Sequence, residues 1–291
     1  MKPIPFDYYA PTTVSEALEN LADLGYNGKI LAGGQSLVPA MNFRMARPAA
    51  LVDINAIQEL NYIHNNSDGS ISIGAVSRDS QVENNPDIQR NFSLIPEVMQ
   101  FIAHPQIRNR GTFCGSIAHA DPAGQLPSIS LVLNANFKIL KKGRERWVAA
   151  EDFFMGPFTS VLEPEELLAE TVLPPLFKKT GSSYKQVARQ RGGYALAAVA
   201  AVVTLDDAGF CRQARMSMVS VGDTPALSHA APRILVGQKP TAEIIQEVAR
   251  TVSKSEIDPG TDLHATADYR RHLVEILVVR SLTEAFSRAN H

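Results

Sequence analysis

Cysteine is scarce in this chain, whose 291 residues include only Cys114 and Cys211. Two thiols cannot build a disulfide framework, a four-cysteine zinc site or the four-thiolate seat of an iron–sulfur cluster. Their scarcity points to a reducing compartment. An excess of charge of one sign is missing too: 28 basic residues face 30 acidic ones, so nothing advertises a nucleic acid or an acidic membrane as partner. The one basic cluster, KKGRER at 141–146, surrounds a glycine and reads as a solvated hairpin turn. Long apolar runs are absent. The longest, ALAAVAAVV at 195–203, is too short to cross a bilayer, and its Ala/Val content suits a buried strand. The opening MKPIPFDYYAPTT has no apolar core of the secretory-signal kind, which sets the expectation of a cytoplasmic protein without a membrane span.

Several motifs are missing as well. Neither G-x-G-x-x-G nor G-x-x-x-x-G-K-[ST] occurs, so Rossmann and Walker phosphate sites are poor explanations for anything found here. No G-x-S-x-G elbow occurs. His64, His104, His119, His229, His264, His272 and His291 are scattered without H-E-x-x-H or another metal spacing, and no metal site is expected.

What is present begins with a helix over 13–24. Thr13 and Glu16 have capping-box spacing, Val14, Ala17, Leu18, Leu21 and Leu24 recur on one face, and Gly25 stands where a C-terminal cap belongs. KIL then reads as a short strand entering a double glycine, and ALVDI at 50–54 as a second buried strand, giving a small α/β unit. SISIGA reads as a strand by alternation and PEVMQFIA at 96–103 as a helix. The stretch 108–127, RNRGTFCGSIAHADPAGQLP, shows no period and reads as a long functional loop. VLPPLFKKTGSS at 172–183 has the composition of a boundary. Beyond it, 195–205 and 210–221 read as strands joined by DDAG, and helices are expected near 241–254 and 266–288.

Two glycine loops carry the chemistry. In LAGGQSL at 31–37, Gly33 and Gly34 precede an amide, Gln35, and a hydroxyl, Ser36. Glycine takes φ > 0 without penalty and lets backbone N–H groups approach oxygen, which suits an anionic or pyrophosphate ligand. A tight turn with a polar rim is the plainer alternative. The second loop repeats the pattern, with Gly111 and Gly115 among Thr112 and Ser116. Two such loops could grip opposite ends of one dinucleotide. Within the second loop, Cys114 is either a reactive thiol or a small buried hydrophobe, and no paired base is visible. His119 is either a base or an ordinary hydrogen-bonded residue. Asp121 either accepts a ligand hydroxyl or caps the following turn.

Three stretches taken together, LAGGQSLVPAMNFRMARPAALVDIN, HPQIRNRGTFCGSIAHADPAGQLP and RQRGGYALAAVA, closely resemble the FAD-binding medium subunit of molybdenum hydroxylases, the xanthine dehydrogenase and carbon monoxide dehydrogenase family. The resemblance runs in order along essentially the whole chain. It implies an α+β architecture. Residues 1–177 would form an FAD-binding domain of the vanillyl-alcohol oxidase (PCMH) type, with subdomains of about 1–57 and 58–177. Residues 178–291 would form a flavoprotein C-terminal domain, an antiparallel sheet with helices. FAD would lie non-covalently between the subdomains. Ala32, Gly33, Gly34, Gln35 and Ser36, followed by Leu37, would hold the pyrophosphate. Gly111, Thr112, Phe113, Cys114, Gly115 and Ser116 would supply further contacts, with Ala118, His119, Asp121 and Gln125 beside them. Tyr194 falls where several relatives place an aromatic beside the isoalloxazine ring; otherwise it is a half-buried strand aromatic. Relatives often carry glycine at the position of Cys114, Asn or Asp at that of Ser116, an acidic residue at that of Gln125 and Asp at that of Gly193. The differences at 114 and 125 bear on the detailed FAD contacts.

The resemblance further implies an oxidoreductase subunit that passes electrons from iron–sulfur clusters through FAD to an acceptor. A small [2Fe–2S] subunit and a large molybdopterin subunit would be its partners, in a dimer of heterotrimers. The molybdenum subunit would choose the substrate, and the branch acting on N-heteroaromatic compounds is one to which this chain is similar. Two rivals remain at this point, a free-standing FAD-dependent oxidoreductase and a flavin-free scaffold protein. No convincing acid–base pair supports the first.

Overall fold

The computed structural model describes residues 1–290. The chain opens with β1 (Asp7–Tyr9), α1 (Val14–Leu24), β2 (Gly28–Leu31), α2 (Leu37–Asn42) and β3 (Ala50–Asp53), and the three strands pair in parallel in the order β1–β3–β2. The capping box at α1 forms as its spacing predicts: the Glu16 amide donates to the Thr13 hydroxyl, and the Glu16 carboxylate accepts the Thr13 amide. Such a cap contributes about 1 kcal/mol. Ala17, Leu18 and Leu21 are the buried face. Strand β1 escapes the sequence reading because all three of its residues are exposed, so its side chains show no alternation.

A second layer follows: β4 (Ile63–Asn65), β5 (Ile71–Gly74), β6 (Asn136–Lys141), β7 (Arg144–Ala149) and β10 (Leu167–Leu173) form one antiparallel sheet in the order β4–β5–β10–β6–β7, beside the small hairpin β8 (Phe154–Gly156) and β9 (Thr159–Ser160). KKGRER is the β6–β7 turn, with Gly143 at φ 72°. Between β5 and β6 the chain runs through α3 (Asp79–Asn84), α4 (Pro86–Asn91), α5 (Leu94–Met99), α6 (Pro105–Arg108), α7 (Phe113–His119) and α8 (Gln125–Val132). Helix α5 sits earlier and is shorter than the expected 96–103, and Ala103 takes a left-handed φ of 42° beyond it.

The expectation of a long loop over 108–127 fails, since α7 lies within that stretch and α8 begins there. The reason is burial. All eight residues of α8 are buried, so it has no polar face and therefore no period. In α7 only Phe113, Cys114 and Ile117 are buried, too few to register as a pattern.

The rest of the chain is a four-stranded antiparallel sheet, β11 (Thr180–Ala188), β12 (Ala195–Leu205), β13 (Cys211–Val219) and β14 (Ala226–Leu227), covered by α9 (Ala230–Leu235), α10 (Ala242–Ser255) and α11 (Ala267–Ala289). The apolar run 195–203 is explained by β12, which separates two cores. Ala198, Ala200 and Val202 pack into the core of the first half, while Ala197, Val199, Ala201 and Val203 pack into the core under the helices. A strand covered on both faces needs small apolar residues at every position rather than at alternate ones. Among the described residues, no helix is long and apolar enough to cross a membrane.

Candidate functional site

The two glycine loops do not stand at opposite ends of a gap; they touch. A Cβ on Gly33 would lie 2.5 Å from the Arg110 carbonyl oxygen and 2.7 Å from the Gly111 Cα. One on Gly111 would lie 2.4 Å from Asp79 Oδ2. Gly33 therefore lacks a side chain because another backbone occupies its place. Gly34 is a glycine for a different reason, its φ of 70°. Strand β2 delivers the first loop, and α2 leaves it. The Gln35 side chain folds back to donate to the Gly33 carbonyl at 2.9 Å, which stiffens the turn. Ser36 is exposed and makes no side-chain capping bond, so its hydroxyl is available. Among the described residues, the backbone amides of Gly33, Gly34, Gln35 and Ser36 donate to no other group. Four adjacent unused donors are what an anion requires.

Helix α7 splits the second loop into two faces. Thr112 is its N-cap and accepts the Gly115 amide at 3.2 Å. Phe113 and Cys114 point into the core, while Gly115, Ser116, Ala118 and His119 are only partly buried. A Cβ on Gly115 would lie 3.9 Å from the Ala32 Cβ, so this outer face adjoins the first loop. Cys114 Sγ lies 3.2 Å from Thr171 Oγ1, and burial pushes its thiol up to about 12. It is the small buried hydrophobe of the two readings. Cys114→Ala should keep full FAD occupancy, hold electron transfer within a few fold and cost about 1 kcal/mol of stability, the scale of one methyl-sized group. Loss of activity with FAD still bound would restore the thiol to the chemistry.

Beyond α7 lies a cavity of about 710 Å³ between the first half and the C-terminal sheet, lined by Asp121, Phe158, Gly193 and Tyr194 among others. Tyr194 is 69 % exposed at its rim, so it is not the half-buried strand aromatic. Asp121 caps its turn by accepting the Ala123 amide at 2.8 Å and also lines the cavity. His119 packs on Phe158 with ring centroids 5.1 Å apart, and burial lowers its imidazole pKa against the pull of Asp121. Gln125 is buried and donates to Gln186 at 3.2 Å, which in turn reaches the Gly193 carbonyl. The structure thus brings the first loop and the outer face of α7 together. Phe113, Cys114 and Gln125 stand behind them. Among the described residues no group of three or more His, Cys, Asp or Glu is arranged to hold a metal, and His291 lies outside those residues.

Three residues near the loops were given no role by the sequence reading, although Asn55 closes the first of the family-like stretches. Arg78 and Asn55 link the loops by hydrogen bonds to backbone. Asp79 lies against Gly111, is 4 % exposed, and its Oδ1 has no partner among the described residues. They act through contacts between segments distant in sequence, which no motif records. Burial pushes the Asp79 carboxyl up to about 7, against the opposing pull of Arg108 and Arg78. The unfolded value is near 4. Such a group stabilises the fold fully below pH 4, and that contribution is lost as pH rises through 7. Asp79→Asn cannot ionise. Its thermal midpoint should be flatter than the wild type's from pH 4 to 8, and higher at pH 8. Identical pH profiles would clear Asp79 of this role.

Residues 4–176 match the FAD binding domain in molybdopterin dehydrogenase, and residues 182–285 match the CO dehydrogenase flavoprotein C-terminal domain. This chain belongs to the medium-subunit family of molybdenum hydroxylases. It is 39 % identical to the 6-hydroxypseudooxynicotine dehydrogenase complex subunit alpha of Paenarthrobacter nicotinovorans, over 99 % of this chain and 97 % of that one. Its structure is similar to that of a chain of carbon monoxide dehydrogenase from Hydrogenophaga pseudoflava, with a TM-score of 0.96, 35 % identity and 99 % of each chain covered. A chain of quinoline 2-oxidoreductase from Pseudomonas putida 86 gives 0.94 at 30 % identity, with 100 % of each covered. The medium subunit is an FAD-binding oxidoreductase subunit, and its residues fit that cofactor: free amides adjoin a glycine contact that any Cβ would obstruct, and a cavity lies beyond.

Proposed function

We propose that this medium subunit holds FAD non-covalently across the two glycine loops and serves as the electron-transfer chain of a heteromeric molybdenum hydroxylase. The observation that carries the reading is the set of unused amides at Gly33–Ser36, pressed against the second loop at Gly111. These amides and the Ser36 hydroxyl donate to the pyrophosphate, and Ala32 and Leu37 flank it. Gly115, Ser116 and Ala118 form the adjoining wall. His119, Asp121 and Tyr194 border the ring and limit water around it. Thr112, Phe113 and Cys114 set the wall by packing, and Gln125 positions Gly193 and Tyr194 through Gln186. Bound FAD supplies exchange of electrons between one-electron clusters and the acceptor; the protein supplies binding and orientation.

The partners are a small [2Fe–2S] subunit and a large molybdopterin subunit, assembled with this chain as a dimer of heterotrimers in the cytoplasm. Residues 1–177 are the FAD-binding domain, in subdomains of about 1–57 and 58–177, and 178–291 the C-terminal domain. The substrate class is an N-heteroaromatic compound, which the names of the Paenarthrobacter nicotinovorans and Pseudomonas putida 86 relatives support. A visible absorption spectrum of the purified chain is the test. Flavin bands, released to the supernatant on acid precipitation, are expected. A colourless protein that stays colourless after incubation with FAD would leave the scaffold reading.

A further inference from the structure

We propose that Arg78, acting with Asn55, is a positioning residue that sets the distance and orientation of the two glycine loops and so the affinity for FAD. The inference rests on the reading of these loops as the pyrophosphate cradle. Arg78 Nη1 donates to the Arg110 carbonyl at 2.7 Å, and Nη2 donates to Asn55 Oδ1 at 2.7 Å. Asn55 Nδ2 donates onward to the Ala32 carbonyl at 2.8 Å. The relay therefore ends on two carbonyls, each belonging to the residue just before a loop glycine. Asn55 is itself fixed, since its backbone amide and Nδ2 both donate to Asp53 Oδ1, at 2.9 and 2.6 Å. The hydroxyl of Tyr8 holds the other oxygen of that carboxylate.

The peptide plane gives the relay its consequence. The Ala32 carbonyl and the Gly33 amide share one rigid peptide unit and point to opposite sides. Pinning the carbonyl to Asn55 aims the Gly33 N–H away from Asn55, as the first of the four unused donors. At the other end, the Arg110 carbonyl held by Arg78 is the atom that lies 2.5 Å from where a Gly33 Cβ would sit. One guanidinium thus holds the backbone that abuts the first loop and, through Asn55, the loop itself. A lysine cannot reproduce this, because its single nitrogen lacks the planar fork that meets two acceptors at once.

The test uses the full chain as apoprotein, titrated with FAD by flavin fluorescence, with thermal midpoints recorded alongside. Arg78→Ala should weaken FAD binding at least tenfold, and Arg78→Lys should fall between it and the wild type. Flavin bound at saturating FAD should keep the wild-type absorption spectrum, because the relay acts on the loops and not on the ring. Asn55→Ala should also weaken binding, and the double variant should be no more than about twofold worse than Arg78→Ala, since the two act as one unit. Wild-type affinity in Arg78→Ala, or losses that multiply in the double variant, overturns the proposal. If Arg78→Ala does not fold, Asn55→Ala decides alone, and unchanged affinity there overturns it. A wild-type chain that binds no FAD overturns the cofactor reading instead.

Discussion

Gly33→Ala should give a folded protein that purifies without its yellow colour. The new methyl would lie 2.5 Å from the Arg110 carbonyl oxygen and 2.7 Å from the Gly111 Cα, well inside van der Waals contact. Both obstructing atoms are backbone, so no rotamer change relieves them and the loops must separate. Ala32, Phe113 and Cys114, the neighbours of this contact, pack in the first core, while the core under the C-terminal helices includes neither loop, so the thermal midpoint of the apoprotein should fall while the protein stays folded. FAD affinity should drop at least a hundredfold, because the amides of one loop and the wall supplied by the other no longer match one ligand. Gly34→Ala should be milder. It carries a backbone strain of about 1–2 kcal/mol for φ > 0, but its methyl meets only side-chain carbons, of Leu31 and Val38, at 3.1 and 3.3 Å, and no backbone. Gly34→Val adds bulk and should also lose most of its flavin. Equal FAD content in wild type and Gly33→Ala, measured by released flavin per chain, would remove the loop contact from the account of binding.

The isolated chain with FAD bound should reduce no dye when offered a panel of N-heteroaromatic compounds, and the same chain co-expressed with an iron–sulfur and a molybdopterin subunit should reduce dye readily. Both cysteines are free and buried, and two thiolates cannot ligate even one cluster. Among the described residues there is no metal-binding group of His, Cys, Asp or Glu. On the proposed reading the substrate-oxidising centre and the clusters sit on partner subunits, as the medium-chain and complex-subunit names of the relatives suggest. The expected difference is the full range of the assay, background against turnover. Robust, flavin-dependent turnover by the isolated chain would refute the subunit reading and favour a free-standing flavoenzyme.

The sequence by itself determined the elements that close on local signals. The α1 helix was written in Thr13, Glu16 and Gly25, the β6–β7 turn in KKGRER, and the β12–β13 hairpin in DDAG, because capping and turn chemistry act within a few residues. It also marked the two loops proposed for the ligand, since two runs of glycine with short polar residues are visible without any fold. Tertiary structure alone decided what those glycines are for. Gly33 and Gly111 are 78 positions apart in the chain; only the docking of the two segments obstructs a side chain at Gly33, and only the Asp79 carboxylate packed against the second loop obstructs one at Gly111. Burial likewise concealed α8, whose uniformly covered surface leaves no polar face to generate a period. The roles of Asn55, Arg78 and Asp79 stayed hidden for a related reason. Their partners are backbone carbonyls and a loop glycine brought beside them by packing, and a carbonyl is the same at every position of the sequence, so nothing in the residue types could announce which one would arrive.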